Sequence, residues 1–178
     1  LPLDLTDFDK IDQLGAALFE RYKKLDILVG NAGLLGTLGP IQHLDPKIWD
    51  QTLAVNLTAN WRLIRSLDPL LRQSNAGRAV FVTSTAGQIA RPYWGIYAVS
   101  KAALEMLVKT YAHEVKNTKI NVNLFNPRGT RTNMRAEAFP GEDPETLNTP
   151  DFIAEQIVKM TLPTNDTHGE TITAIHPK

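Results

Sequence analysis

Cysteine is absent from all 178 residues, which excludes disulfides, iron–sulfur clusters and thiolate zinc sites. Net charge is absent as well. Nineteen basic and nineteen acidic side chains cancel, so nothing in the charge balance favours nucleic acid or an anionic membrane as a partner. No apolar run reaches the length that crosses a bilayer; LAVNLTANWRLI is interrupted by Asn60 and Arg62. The histidines, His43, His113, His168 and His176, have no ligand-like spacing, and no metal site is expected. The opening LPLDLTDFDK carries three aspartates and no basic leader, unlike a signal peptide. It also has no initiator methionine, which fits a processed chain or a part of a longer one.

What is present suits one globular domain over residues 1–178, in the cytoplasm. The hydrophobic share of 43% and charged share of 21% are ordinary, and the length supports one proper core but not two.

Short apolar runs alternate with helical periods. Thr6 and Asp9 have capping-box spacing ahead of Ile11, Leu14, Leu18 and Phe19, which predicts a helix. LDILVGN (25–31) reads as a strand buried on both faces. Asp45-Pro46 is an N-cap with proline at the first helical position, opening a long helix to about Arg65, with Pro69 as its end or kink. RAVFVTS (78–84) is a second strand, Gly95 to about Val115 a second long helix, and KINVNLFNP (119–127) a third strand. Residues 133–148 read as a loop with at most a short helical turn. Thr149-Pro150 then caps a helix to about Met160, and ETITAIHP is a fourth strand. Strands separated by helices imply βαβ units: an α/β fold with a parallel sheet of about four strands and flanking helices.

Ligands of such sheets bind beyond the carboxyl ends of the strands. There the chain has Asn31-Ala32-Gly33, then Thr83 to Gly87, then Asn126 to Thr132, all small or polar. In GIYAVSKAAL, Tyr97 and Lys101 are four apart, on one helix face, on the order of 5–6 Å between Cβ atoms. Ser84 precedes Tyr97 by thirteen residues, at the tip of the strand leading into that helix. A hydroxyl, a phenol and an ammonium therefore meet at one rim. A phenol is a poor base at neutral pH, and an adjacent ammonium favours the phenolate, which would make Tyr97 a usable acid/base. Ser84 can donate to a substrate oxygen on which charge develops.

This ordered set, Asn-Ala-Gly after a strand, Asn56 in the next helix, Ser84, Tyr-x-x-x-Lys and the NPRGTRT segment, resembles the short-chain dehydrogenase/reductase superfamily over residues 1–178. The resemblance implies a truncated Rossmann-like, doubly wound fold and an oxidoreductase using NAD or NADP. Hydride would pass between nicotinamide and the carbon of a small-molecule carbonyl or secondary alcohol, with Tyr97 moving the proton. It further implies that Lys101 holds the nicotinamide ribose and that Asn56 continues a proton relay. Thr132 would hold the carboxamide and Asn31 and Gly33 support the adenosine side, with Ala32, Pro127 and Thr130 also at the cofactor. Homo-oligomerisation through helices 46–66 and 95–116 is implied too. Simpler roles stand beside these: Ser84 as a helix cap, Asn56 satisfying backbone groups, Thr132 as a loop hydroxyl, Asn31 and Gly33 shaping a turn. A non-catalytic oligomerisation module derived from the same fold is the competing reading.

Two departures from the family pattern shape further expectations. The strand, Gly-rich turn and helix that receive a pyrophosphate have no counterpart, and Gly33, Gly36 and Gly39 lack the required spacing and context. LPLDLTD matches the segment after the family's third strand, with Asp4 at the adenine-side acid, so the chain begins two βα units late, on the order of 60 residues. Strand 25–31 should then lie at an unpaired apolar edge, with residues 1–5 irregular. Arg128 stands where the family usually has glycine, leaving Gly129 to supply the turn. Finally, 133–148 reads as a mobile substrate lid; Arg128, Arg131 and Arg135 nearby suit an anionic substrate or a solvated loop alike.

Overall fold

The computed structural model describes residues 2–175. Its four strands, β1 (Ile27–Gly30), β2 (Gly77–Val82), β3 (Ile120–Asn126) and β4 (Thr171–Thr173), form one parallel sheet in chain order. The helices are α1 (Phe8–Tyr22), α2 (Pro46–Leu53), α3 (Ala59–Leu71), α4 (Gly95–Val115), α5 (Asn133–Ala138) and α6 (Pro150–Thr161). His176 and Pro177, the last residues of the expected fourth strand, lie outside the described residues.

The register separates the two faces of the sheet. Leu28, Ala79 and Phe81, with Val122 and Leu124 of β3, pack against Ile64, Leu67 and Leu71 of α3 and Leu104, Val108 and Val115 of α4. On the opposite face Val80 and Phe125 meet Ile153 and Met160 of α6. Helices thus cover both faces, and β2 is buried at all six positions, as a central parallel strand should be. Gly15 lets α1 approach α3: a Cβ there would lie 2.2 Å from the Ser66 carbonyl oxygen.

β1 has one neighbour, β2, among the described residues. Its outward Ile27 and Val29 are 46% and 40% exposed, so this strand is an apolar edge rather than a segment buried on both faces. Residues 2–4 are irregular and Leu5-Thr6 form a turn.

Two helix boundaries differ from the periodicity. Asp7, not Thr6, caps α1, its carboxylate accepting from the Lys10 amide at 3.2 Å; Thr6 is instead drawn into a turn by Asp4, which accepts from both its amide and its hydroxyl at 2.8 Å. The helix begun at Pro46 runs to Leu71 through a five-residue π-helical segment, Ala54–Thr58, and Pro69 neither ends nor interrupts it. Pro69 sits in the last turn of α3. No helix among the described residues is long and apolar enough to cross a membrane.

Candidate active site

The carboxyl ends of β1, β2 and β3 each turn into a loop that reaches the start of α4. Ser84, extended at the end of β2, accepts a hydrogen bond from the Ala86 amide at 3.2 Å and so caps the 3-10 turn Thr85–Gly87. That turn is pressed onto α4. A Cβ at Gly87 would meet the Lys101 carbonyl carbon at 2.9 Å and the Ala102 nitrogen at 3.0 Å, so glycine lets the Ser84 loop lie flat on the helix backbone. Below it, buried Glu105 accepts from Thr83 Oγ1 at 2.9 Å and Gln88 Nε2 at 3.0 Å, tying both ends of the loop to the helix.

Tyr97 and Lys101, one turn apart on α4, are both buried, and the Lys101 Nζ lies 5.7 Å from the Tyr97 ring centroid. The Ser84 hydroxyl interacts with the phenol. Burial pushes the Tyr97 pKa above its ordinary value, and Ser84 acts in the opposite direction. The lowering expected from the neighbouring ammonium is not what the structure shows: desolvation prevails, and the phenol is held as the neutral acid. Burial also brings Lys101 down to about 8. Its ammonium donates to the Val82 carbonyl at 2.9 Å, which leaves two of its three protons for other acceptors.

Asn56 lies in the π-helical segment and is fully buried. Its Oδ1 accepts from the Leu34 amide at 2.7 Å, and its Nδ2 donates to the Leu34 carbonyl and to Ser100 Oγ, both at 2.9 Å. One side chain thereby pins the loop after β1 onto α4. It satisfies backbone groups as the simpler reading held, but those of another loop rather than its own helix. Within that loop Gly33 comes next to Lys101: a Cβ there would be 3.4 Å from Asn56 Oδ1 and 3.5 Å from Lys101 Nζ. Asn31 and Ala32 precede it and are exposed.

The segment after β3 departs most from expectation. Arg128 itself adopts the left-handed conformation (φ 58°), and Gly129 does not. The Asn126 side chain causes this by accepting from the Arg128 amide at 3.0 Å, while its Nδ2 reaches back to Thr85 Oγ1 at 3.0 Å. Thr130 Oγ1 donates to the Pro127 carbonyl at 3.3 Å. Thr132 caps α5 through the Arg135 amide at 3.2 Å and is exposed. Asn56, Ser84, Tyr97, Lys101 and Gly33 are therefore brought together, and Pro127, Thr130 and Thr132 form the turn that leads into α5.

Sequence reasoning missed Trp94, which packs edge-on against Tyr97 with centroids 5.9 Å apart and also contacts Phe139 at 5.5 Å. Its position just before the Tyr97 helix was a signal, but nothing local says that an aromatic there turns inward.

The family model for short chain dehydrogenases matches residues 1–143. The uncharacterized oxidoreductase YciK of Escherichia coli K12 is 42% identical over 142 residues, which cover 80% of this chain and 56% of that protein. A short chain dehydrogenase from Salmonella enterica serovar Typhi superposes with a TM-score of 0.92 at 39% identity, over 97% of this chain and 72% of that one. One from Escherichia coli CFT073, complexed with NADPH, gives 0.88 at 39% identity, over 96% and 72%. The chain spans about half the length of the curated relatives it matches. On a match over most of its residues, the chain belongs to the short chain dehydrogenase family.

Proposed function

We propose that this chain carries the acid/base half of an NAD(P)-dependent oxidoreductase that interconverts a carbonyl and a secondary alcohol. The observation that carries the reading is the buried Lys101 ammonium beside a buried phenol that interacts with a serine hydroxyl. An oligomerisation module has no use for such a group, because burying an ammonium with a single hydrogen bond costs stability. The reading is also in keeping with the NADPH and NADP complexes of the family's solved members.

The residues present suit a nicotinamide ribose. Lys101 has two donors to spare, and Gly33 lies beside its amine. Lys101 and Tyr97 would hold the ribose hydroxyls, with Asn31, Ala32 and Gly33 toward the adenosine and Pro127, Thr130 and Thr132 toward the carboxamide. When bound, the nicotinamide supplies or accepts the hydride.

The protein's own part is the proton. Ser84 donates to the carbonyl oxygen and holds it against Tyr97. Tyr97, neutral because it is buried, gives its proton to that oxygen as charge develops there. The phenolate left behind is stabilised by Lys101, whose ammonium lies 5.7 Å from the ring centroid. With a pKa of about 8, Lys101 is mostly charged at neutral pH and ready to do this. Asn56 acts by fixing the Leu34 loop around the amine.

Association through the long helices is part of the proposal. Val99 and Met106 of α4 and Trp61 of α3 are exposed apolar side chains on the segments expected to pair. The test is a titration of NADH and NADPH, read by fluorescence, against this chain and a version extended upstream. Binding by the extended form with turnover of simple ketones supports the reading; binding of neither cofactor by either form refutes it.

A further inference from the structure

Three successive turns of α4 reach toward the end of β2. Tyr97, Lys101 and Glu105 are four residues apart and share one face of the helix. The phenol interacts with Ser84, and the ammonium donates to the Val82 carbonyl at 2.9 Å. The Glu105 carboxylate receives the segment beyond. Its Oε1 accepts from Thr83 Oγ1 at 2.9 Å and from Gln88 Nε2 at 3.0 Å, the residues that open and close the Ser84 loop. Its Oε2 meets the Lys109 ammonium at 3.3 Å.

A carboxylate is an unfavourable choice for this position. Glu105 is 5% exposed, and its neighbours on the helix, Leu104 and Val108, are buried apolar side chains. Lys109, the cation paired with it, is itself 44% exposed, and such a pair contributes little. An apolar residue would serve packing at least as well, since replacing a buried ion pair by hydrophobic groups is often neutral or stabilising. An apolar residue cannot, however, gather two donors of one loop onto a single atom. Asn126 also ties the loop, through Thr85 Oγ1 at 3.0 Å, but to β3 rather than to the helix of Tyr97.

Resting on the oxidoreductase reading above, we infer that Glu105 is a positioning residue for the proton transfer. It makes α4 the common frame of the Ser84 hydroxyl and the Tyr97 phenol, so that both meet one substrate oxygen. Ser84 belongs to a loop and Tyr97 to a helix, and a misplacement of about 1 Å between such groups can lower a rate on the order of 10²-fold. Glu105 acts through the loop and touches neither substrate nor cofactor.

The test compares Glu105→Gln, Glu105→Ala and Ser84→Ala. Glutamine keeps an oxygen in place of Oε1 and loses only the Lys109 pair; alanine releases both ends of the loop. In this chain without cofactor, the Ala86 amide, which donates to Ser84 Oγ, should exchange its hydrogen at least about tenfold faster in Glu105→Ala and within about threefold of wild type in Glu105→Gln. In the extended form, Glu105→Ala should lower kcat for ketone reduction at least about tenfold with NADPH affinity unchanged, while Glu105→Gln stays near wild type. Added to Ser84→Ala, the same change should lower kcat by less than about twofold more, because the group it positions is gone. Should Glu105→Ala not fold, Gln88→Ala, which frees one end of the loop and leaves the Thr83 bond, carries the same expectations at smaller size. Equal losses in both backgrounds, a glutamine variant as slow as alanine, NADPH binding weakened in step with kcat, or unchanged exchange at Ala86 would each overturn the inference. An extended wild type that binds neither NADH nor NADPH refutes the oxidoreductase reading itself; the exchange measurement, which needs no cofactor, then still decides whether Glu105 holds the loop.

Discussion

The Lys101 ammonium lies 5.7 Å from the Tyr97 ring centroid while donating to the Val82 carbonyl at 2.9 Å, so the end of β2 orients the amine toward the phenol. Strand and helix are thus coupled through one proton-bearing group. Removing the phenolic hydroxyl should stop chemistry without disturbing the binding surface. Tyr97→Phe in the extended form is expected to lose turnover by about 10²–10⁴-fold while NADPH affinity changes little. Single-turnover kinetics beside a fluorescence titration would check this, and loss of binding would mean that Tyr97 has a different role.

Burial of Lys101 has a measurable consequence for stability. Its pKa is about 8 in the folded protein against 10.5 when exposed. Between these values the unfolded chain binds a proton that the folded one does not, so stability rises with pH. The gain from pH 8 to 9.5 should be on the order of 2 kcal/mol. Above about pH 10 the buried phenols Tyr97 and Tyr111, both pushed up by burial, act in the opposite sense. Urea unfolding at several pH values should show the rise in the wild type and its loss in Lys101→Met; an unchanged slope would place the titration elsewhere.

Asn56 makes three hydrogen bonds that no other residue type reproduces with the same polarity. Asn56→Ala leaves the Leu34 amide and carbonyl unpaired and should cost about 2–4 kcal/mol. Asn56→Asp is the sharper test. A carboxylate can still accept from the Leu34 amide, but it faces the Leu34 carbonyl where the amide donated, so it should be no better than alanine. Denaturant melts of both variants would decide.

Arg128 holds a left-handed backbone that glycine adopts freely. Arg128→Gly should therefore stabilise the fold by about 0.5–1 kcal/mol, and Arg128→Val should destabilise it by at least as much. Thermal unfolding of the pair checks the sign. Stabilisation by valine would mean that the turn relaxes to another conformation.

Gly87 touches the backbone of α4, and any side chain there must push the Ser84 loop off the helix. Gly87→Ala is expected to cost about 1–3 kcal/mol, the usual penalty of overpacking. In the extended enzyme it should lower kcat more than it raises KM, because Ser84 moves relative to Tyr97. A melting temperature and steady-state kinetics equal to wild type would show that the loop is free to shift.

Much of the frame was legible before any coordinates. Short apolar runs located β1 to β3 to within a few residues, although β1 proved half-exposed at the sheet edge, since burial of a strand depends on its neighbours in space. Asp45-Pro46 and Thr149-Pro150 marked helix starts, since caps are local chemistry. The start of α1 was misread because Thr6 and Asp7 are both competent caps, and Asp4 drew Thr6 into a turn instead. The π-helical segment around Asn56 left no trace in the periodicity; one extra residue per turn is invisible until the Leu34 loop needs the side chain.

Residue order alone therefore determined that a phenol and an amine share one helix face at the rim of a parallel sheet, because a four-residue spacing on a helix leaves no other arrangement. Tertiary structure decided the rest. Enclosure by the loops after β1, β2 and β3 reversed the expected direction of the Tyr97 pKa, since desolvation depends on what covers a group and not on its neighbours in the chain. Folding of the segment after β3 paired Arg131 and Arg135 with Glu145 and Glu142, so two charges that looked available from the residue order were met by acids brought in through space.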